Sequence, residues 1–219
     1  MPALPYRRAW SIVRQIRPEA PLGTRLHVLG RFLTCPFLRV LEALPDQARV
    51  LDIGAGHRIF AHLAVAKGAA RVVAVEPDRR KMLGERPAAD GVLPVCGYIE
   101  AVDGLFDVVS MLDVLYRLPL SEWDGLLSAL LGRLRPGGLL LLKEIDPTHR
   151  VKGLINRLQE RLADAAHLTL GDAFSYEAPA ELRERLERLG FIGVAVEGLG
   201  RGYPHAHVLY TARAPEAGC

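Results

Sequence analysis

The stretch RVLDIGAGHRIF, residues 49–60, ends an apolar run in the acid Asp52 and follows it with Gly54 and Gly56. Glycine admits positive φ and lets a ligand approach the backbone, and a helix starting just beyond offers free N–H groups to an anionic group. A second apolar run, RVVAVE at 71–76, also ends in an acid, Glu76. A carboxylate at a strand end can hold a cation or accept from hydroxyls. A phosphate-binding loop would need GxxxxGK[ST], and no stretch fits it; a dinucleotide turn would need a third glycine where Ile59 stands. What remains is an acidic-x-Gly-x-Gly turn. Further candidates for chemistry follow two later apolar runs: Asp113 and Tyr116 after the first, Glu144, Asp146 and His149 after the second.

VLDIGAGHRIF resembles the first motif of the class I S-adenosyl-L-methionine (SAM)-dependent methyltransferases, commonly written VLDxGxGxG. VVAVEPD resembles their second motif. GYIEAVDGLFDVVSMLDVLYRLP resembles the stretch entering their fourth strand, and LRPGGLLLLKEID the helix-turn-strand that follows. The likeness covers roughly residues 47–213. It implies SAM as the cofactor, with Asp52 holding the methionine ammonium and Glu76 accepting from the ribose hydroxyls, as an acid ending the second strand does for NAD. Gly54 and Gly56 would pass close to the methionine part, and Ile53, Ala55, Pro77 and Met111 complete the expected contacts. The sequence departs from the family at two places. Arg58 stands where glycine is frequent, its guanidinium reaching solvent or the cofactor's carboxylate. Tyr98 stands where an aspartate often holds the adenine amine; Tyr98 would stack or donate, Ile99 would line the adenine slot, and Glu100 is a substitute acceptor.

Methyl transfer from a sulfonium is an in-line displacement in which alignment supplies much of the rate, so a strong catalytic signature is not required. Asp113 is expected to act as a base or substrate anchor, and Tyr116 is the second catalytic candidate. Relatives that modify nucleobases often carry [DNS]PP[YF] after the fourth strand; here the stretch is Ser110-Met111-Leu112-Asp113, so a nucleic-acid acceptor is disfavoured. Glu144 and Asp146 lack a third ligand, and no metal is expected. Tyr176 either lines the acceptor pocket or packs on the sheet; His167, His205 and His207 read as surface or packing residues. A non-catalytic member of the fold, binding SAM weakly and acting as an interaction module, is the alternative that Arg58 and Tyr98 favour.

These residues need a scaffold that brings strand ends together. Strands are expected at 48–53, 71–76, 92–96, 105–111, 138–145, 191–197 and 206–213, with helices at 57–67, 77–84, 121–134, 152–167 and 177–189. Apolar strands alternating with helices mean a parallel sheet covered on both faces. The last two strands are joined by GLGRGYPH without a helix, which requires an antiparallel return. The expected fold is therefore an α/β, Rossmann-like three-layer sandwich. Its seven strands run in the order 3-2-1-4-5-7-6, with the last antiparallel. This unit spans 47–215, and residues 1–46 form a helical extension or lid.

The 219 residues, half of them hydrophobic, suffice for one sizeable core. The net charge of +3 is mild, with acids interspersed throughout. Cys35, Cys96 and Cys219 form no CxxC pair, and Arg7, Arg8 and Arg14 interrupt any early apolar stretch, so a soluble cytoplasmic protein is expected. Seven arginines lie between residues 7 and 39 among apolar residues. Such helices suit a lid over the acceptor site, and an anionic or lipid-linked substrate at a membrane surface. The acceptor is accordingly expected to be a small molecule or lipid-like. Nothing in the chain speaks to its oligomeric state.

Overall fold

The computed structural model describes residues 3–82, 91–146, 175–216 and 218. The helix expected at 152–167, with His149 and His167, lies outside them. Three helices open the chain: α1 (Tyr6–Gln15), α2 (Leu22–Thr34) and α3 (Phe37–Glu42). Then follow β1 (Arg49–Ile53), α4 (Ile59–Lys67), β2 (Arg71–Glu76), α5 (Arg79–Met82), β3 (Val92–Cys96) and β4 (Phe106–Leu112). The described chain ends with α6 (Leu120–Gly132), β5 (Leu134–Ile145), α7 (Pro179–Arg188), β6 (Ile192–Gly198) and β7 (His207–Arg213). Single 3₁₀ turns at Ile99–Ala101 and Leu115–Arg117 follow β3 and β4.

The seven strands form one sheet in the order β3-β2-β1-β4-β5-β7-β6. β7 runs antiparallel to both of its neighbours, and the other pairings are parallel. The helix-free link after β6 is what turns the chain back. Successive side chains on a strand face opposite ways, and β5 shows the consequence. Leu139 and Leu141 join a cluster with Val13, Val28, Phe32 and Phe60 of the N-terminal helices and α4. Leu140 and Leu142 join another with Trp123 and Leu127 of α6 and Leu182 and Leu186 of α7. Each such side chain, taken fully from water, stabilises the fold by about 1.5–3 kcal/mol. Both faces of the sheet are therefore covered, and residues 3–46 share a core with the sheet.

Local chemistry sets the ends. Pro179 opens α7, where its missing N–H leaves nothing unsatisfied, and Glu181 accepts from the Ala178 N–H at 2.9 Å. Gly190, with φ of +98°, closes that helix. β5 begins four residues earlier than the sequence suggests, because Leu134 pairs with Phe106 before a register shift leads to the Val108–Leu139 pair. Gly137, at φ +69°, absorbs the extra chain of this bulge.

Candidate active site

The carboxyl ends of β1, β2, β4 and β5 converge, as the sheet order requires. β1 delivers Asp52, which is 2 % exposed, directly opposite Ser110 of β4. Ser110 Oγ donates to Asp52 Oδ1 at 2.7 Å, while Oδ2 is buried without a hydrogen-bond partner among the described residues. Burial raises the Asp52 carboxyl to about 7, with the charge of Glu76 adding to it and the Ser110 hydrogen bond opposing. A carboxylate so placed gains most from an arriving cation.

The turn after β1 is held by the Ala55 N–H donating to the Val75 carbonyl at 2.9 Å. Gly54 (φ +68°) and Gly56 (φ +54°) take left-handed conformations. A Cβ at Gly54 would also collide with Cγ2 of Val114, so the position excludes any side chain. Glu76, 5 % exposed, lies across this turn: its Oε2 accepts from the Gly56 N–H at 2.8 Å, and its Oε1 from the Asp78 N–H at 3.0 Å. Lys81 Nζ is 3.4 Å from the same Oε1. Ile53 and Met111, paired across β1 and β4, are buried beneath, and Ala55 is half-buried at the turn.

The two departures from the family pattern resolve differently. Arg58 takes a left-handed conformation (φ 59°) as the residue before α4, yet its side chain is fully buried, with Nη2 3.4 Å from the Lys81 carbonyl. Of the two courses expected for it, solvent or the cofactor's carboxylate, the first is ruled out: the first turn of α4 is covered by the N-terminal helices and by the segment after β2. Tyr98 is 70 % exposed, while Ile99 beside it is buried. Glu100 and Pro77 lie at the surface.

Around the turn stands a set of cations. Arg17 Nη1 donates to His57 Nδ1 at 3.3 Å and to the Arg80 carbonyl at 3.1 Å, and His27 meets His57 edge-on at 5.6 Å. Burial, then His27, Arg17, Lys81 and Arg58, lowers His57 to about 4, so both rings are neutral at pH 7.

Asp113, the first catalytic candidate, is held at φ +61° and is 4 % exposed. Its Oδ1 pairs with the fully buried Lys143, and its Oδ2 with Arg31 of α2 at 2.8 Å and the Cys35 thiol at 3.7 Å. Burial alone would raise this carboxyl, but Lys143 and Arg31 outweigh it and hold it well below the usual carboxylate range. A group so paired is a poor proton acceptor; its evident work is to fasten α2 to the sheet. The pairing of Asp113 with Lys143 and Arg31 escaped the sequence reading. The signal was a lysine placed directly after LLLL, inside the buried part of a strand.

Tyr116, the second candidate, stacks with Tyr176 at 5.9 Å and an interplanar angle of 3°. Near it Glu144 Oε1 accepts from the N–H groups of Val114 and Leu115 at 3.1 and 2.9 Å. Asp146 N–H donates to the Ala206 carbonyl at 2.7 Å, and His207 Nε2 lies 2.8 Å from the Thr34 carbonyl. Asp113 and Tyr116 thus serve different neighbourhoods, α2 and the aromatic cluster near α6.

A family model described as a methyltransferase domain matches residues 26–196. The ribosomal protein L11 methyltransferase of Pelobacter propionicus is 32% identical over 143 residues, covering 62% of this chain and 45% of that protein. That of Geobacter metallireducens is 31% identical over 139 residues, covering 62% and 44%. The chain spans about half the length of the curated relatives it matches. Among solved structures, Burkholderia thailandensis 1,6-didemethyltoxoflavin-N1-methyltransferase with bound 1,6-didemethyltoxoflavin and S-adenosylhomocysteine superposes with a TM-score of 0.63 at 20% identity, covering 99% of this chain and 93% of that one. These relatives overturn the expectation of a small-molecule or lipid-like acceptor, because the curated ones are named for a protein. Of the seven arginines counted as a basic surface, Arg17, Arg31 and Arg39 are engaged within the molecule by His57, Asp113 and Glu197, while Arg7, Arg8, Arg14 and Arg25 are exposed.

Proposed function

Because the chain belongs to the class I SAM-dependent methyltransferases, we propose that it transfers a methyl group from SAM to a protein acceptor. The observation that carries this reading is the buried Oδ2 of Asp52, without a hydrogen-bond partner among the described residues, at the rim of a turn whose Gly54 leaves no room for a side chain. SAM, when bound, supplies an electrophilic methyl carbon on a sulfonium. Asp52 pairs with its ammonium, and Ser110 keeps that carboxylate oriented. Glu76, held at the end of β2 by the N–H groups of Gly56 and Asp78, would accept from the ribose hydroxyls, with the nucleoside beside β2. Gly54 and Gly56 let the backbone lie against the methionine part, and Ile99 lines the adenine side. Asp113, with Lys143 and Arg31, holds α2 over the carboxyl ends of the strands and so keeps water from the reacting atoms.

The protein acceptor is supported by the names of the curated relatives. Incubating the protein with methyl-labelled SAM and purified ribosomal proteins tests it. Label should enter a polypeptide and remain after acid precipitation. Label confined to soluble small molecules, or none transferred, would count against it.

A further inference from the structure

Helix α2 is used on three sides. Val28 and Phe32 enter the core, and His27 and Arg31 reach the glycine turn and Asp113. The face turned away carries Leu22, Leu26, Leu29 and Leu33, spaced by four, three and four residues. Leu22, Leu26 and Leu33 are 67 %, 59 % and 51 % exposed, and Leu29 is half-buried. The spacing is that of a coiled-coil seam, in which an apolar stripe keeps facing a partner helix. Spacing alone equally describes a core-facing stripe; exposure is what assigns this one outward. Gly23 and Gly30 run along one side of it, with nothing within 4 Å of a Cβ at either. On the other side Tyr6 of α1, 55 % exposed, packs on Phe32 and widens the patch at its Leu33 end. Contiguous exposed apolar surface of this kind marks a protein contact.

We propose that α2 pairs with α2 of a second copy of this chain, antiparallel, about a two-fold axis passing between residues 27 and 28. Under that operation the stripe is its own complement, as a two-fold interface requires. Leu26 meets Leu29 of the second copy, and Leu22 meets its Leu33. The leucine layers so formed close along about 16 Å of helix. The glycine sides of the two helices fall together, and without side chains there the backbones can approach closely. No charge lies in the seam. Arg31 is held by Asp113, and Arg25 is exposed at the edge, offset from its mate by about 7.5 Å along the axis. A charged partner helix would find no counter-charge along the stripe, whereas a second copy supplies a leucine for each leucine. Because the same helix carries His27 and Arg31, the pairing also backs α2 where it covers the strand ends. The inference is independent of the methyl acceptor.

The test is sedimentation velocity of the full chain across the micromolar range. The wild type should sediment with twice the mass of one chain and dissociate on dilution. Leu26→Glu, which puts a carboxylate into a central layer, should raise the dissociation constant by about a hundredfold or more. Leu26 is largely exposed in the single chain, so this variant should keep the wild-type circular dichroism and affinity for S-adenosylhomocysteine (SAH). The register is read by cross-linking in a Cys96→Ser, Cys219→Ser background. Leu22→Cys with Leu33→Cys should join two chains on oxidation, while either alone should not, because like positions lie about 16 Å apart along the axis. A wild type that stays monomeric throughout the range, a Leu26→Glu protein that remains a dimer, or a cross-link through Leu22→Cys alone would overturn the proposal. A wild type that dimerises but binds no SAH counts against the methyltransferase reading alone.

Discussion

Replacing Lys143 by Met isolates the buried ion pair that fastens α2. Lys143 is 0 % exposed and Asp113 4 %, so the substitution leaves a carboxylate in a site closed to water. Removing one partner of a buried pair costs about 3–5 kcal/mol. Arg31 still faces Oδ2, but its side chain is 34% exposed and its charge is partly screened, so the loss belongs at the lower end, about 3 kcal/mol. With a urea dependence of about 2 kcal/mol per molar, the unfolding midpoint should fall by about 1.5 M. The sign with pH is fixed by Asp113. Its folded carboxyl lies below its ordinary value, so its stabilisation is present above about pH 4 and fades as pH falls further. The gap between wild type and variant should therefore narrow from pH 5 to pH 3. Adding Asp113→Asn should recover at least half of the loss, since asparagine tolerates a positive φ and carries no charge. A single variant costing under 1 kcal/mol, or a double variant no better than the single, would refute this reasoning.

Two other outcomes follow from the same geometry. Gly54→Ala places a Cβ against Val114 Cγ2 at φ +68°, so it should weaken SAH at least tenfold by isothermal titration; unchanged affinity would mean the turn does not border the ligand. Thermal stability of the free protein should decline from pH 6.5 to 8, because Asp52 (about 7) and Glu144 (about 8) keep protons that the unfolded chain has lost. Below 6.5 the lowered His57 (about 4) and His207 (about 3) give the opposite slope, flattening the curve; a Tm that rises between 6.5 and 8 would contradict these assignments.

The sheet was legible because each strand is an apolar run with its own boundary, and because GLGRGYPH has no room for a helix between β6 and β7. Asp52 and Glu76 were legible for the same reason: each is the acid on which such a run ends. Asp113 was picked out from the residues, but its partners were not. Lys143 lies 30 positions away and Arg31 82, and only the fold brings them together. For Arg58 the sequence left solvent and the cofactor's carboxylate both open, because the covering of the first turn of α4, which closes off solvent, is a tertiary fact. The basic N-terminal segment was legible in part: Arg7, Arg8, Arg14 and Arg25 are exposed as their type suggests, whereas the acceptors of Arg17, Arg31 and Arg39, namely His57, Asp113 and Glu197, lie on later elements.

The central claim is that the turn after β1 and the acid ending β2 hold the methyl donor through Asp52. Isothermal titration of SAH into wild type and Asp52→Asn tests it most directly, because asparagine keeps an acceptor for Ser110 and removes only the charge. Wild type should bind saturably, and Asp52→Asn at least tenfold more weakly, about 1.4 kcal/mol. A silent wild type, or an Asp52→Asn protein that binds as tightly, would contradict the claim.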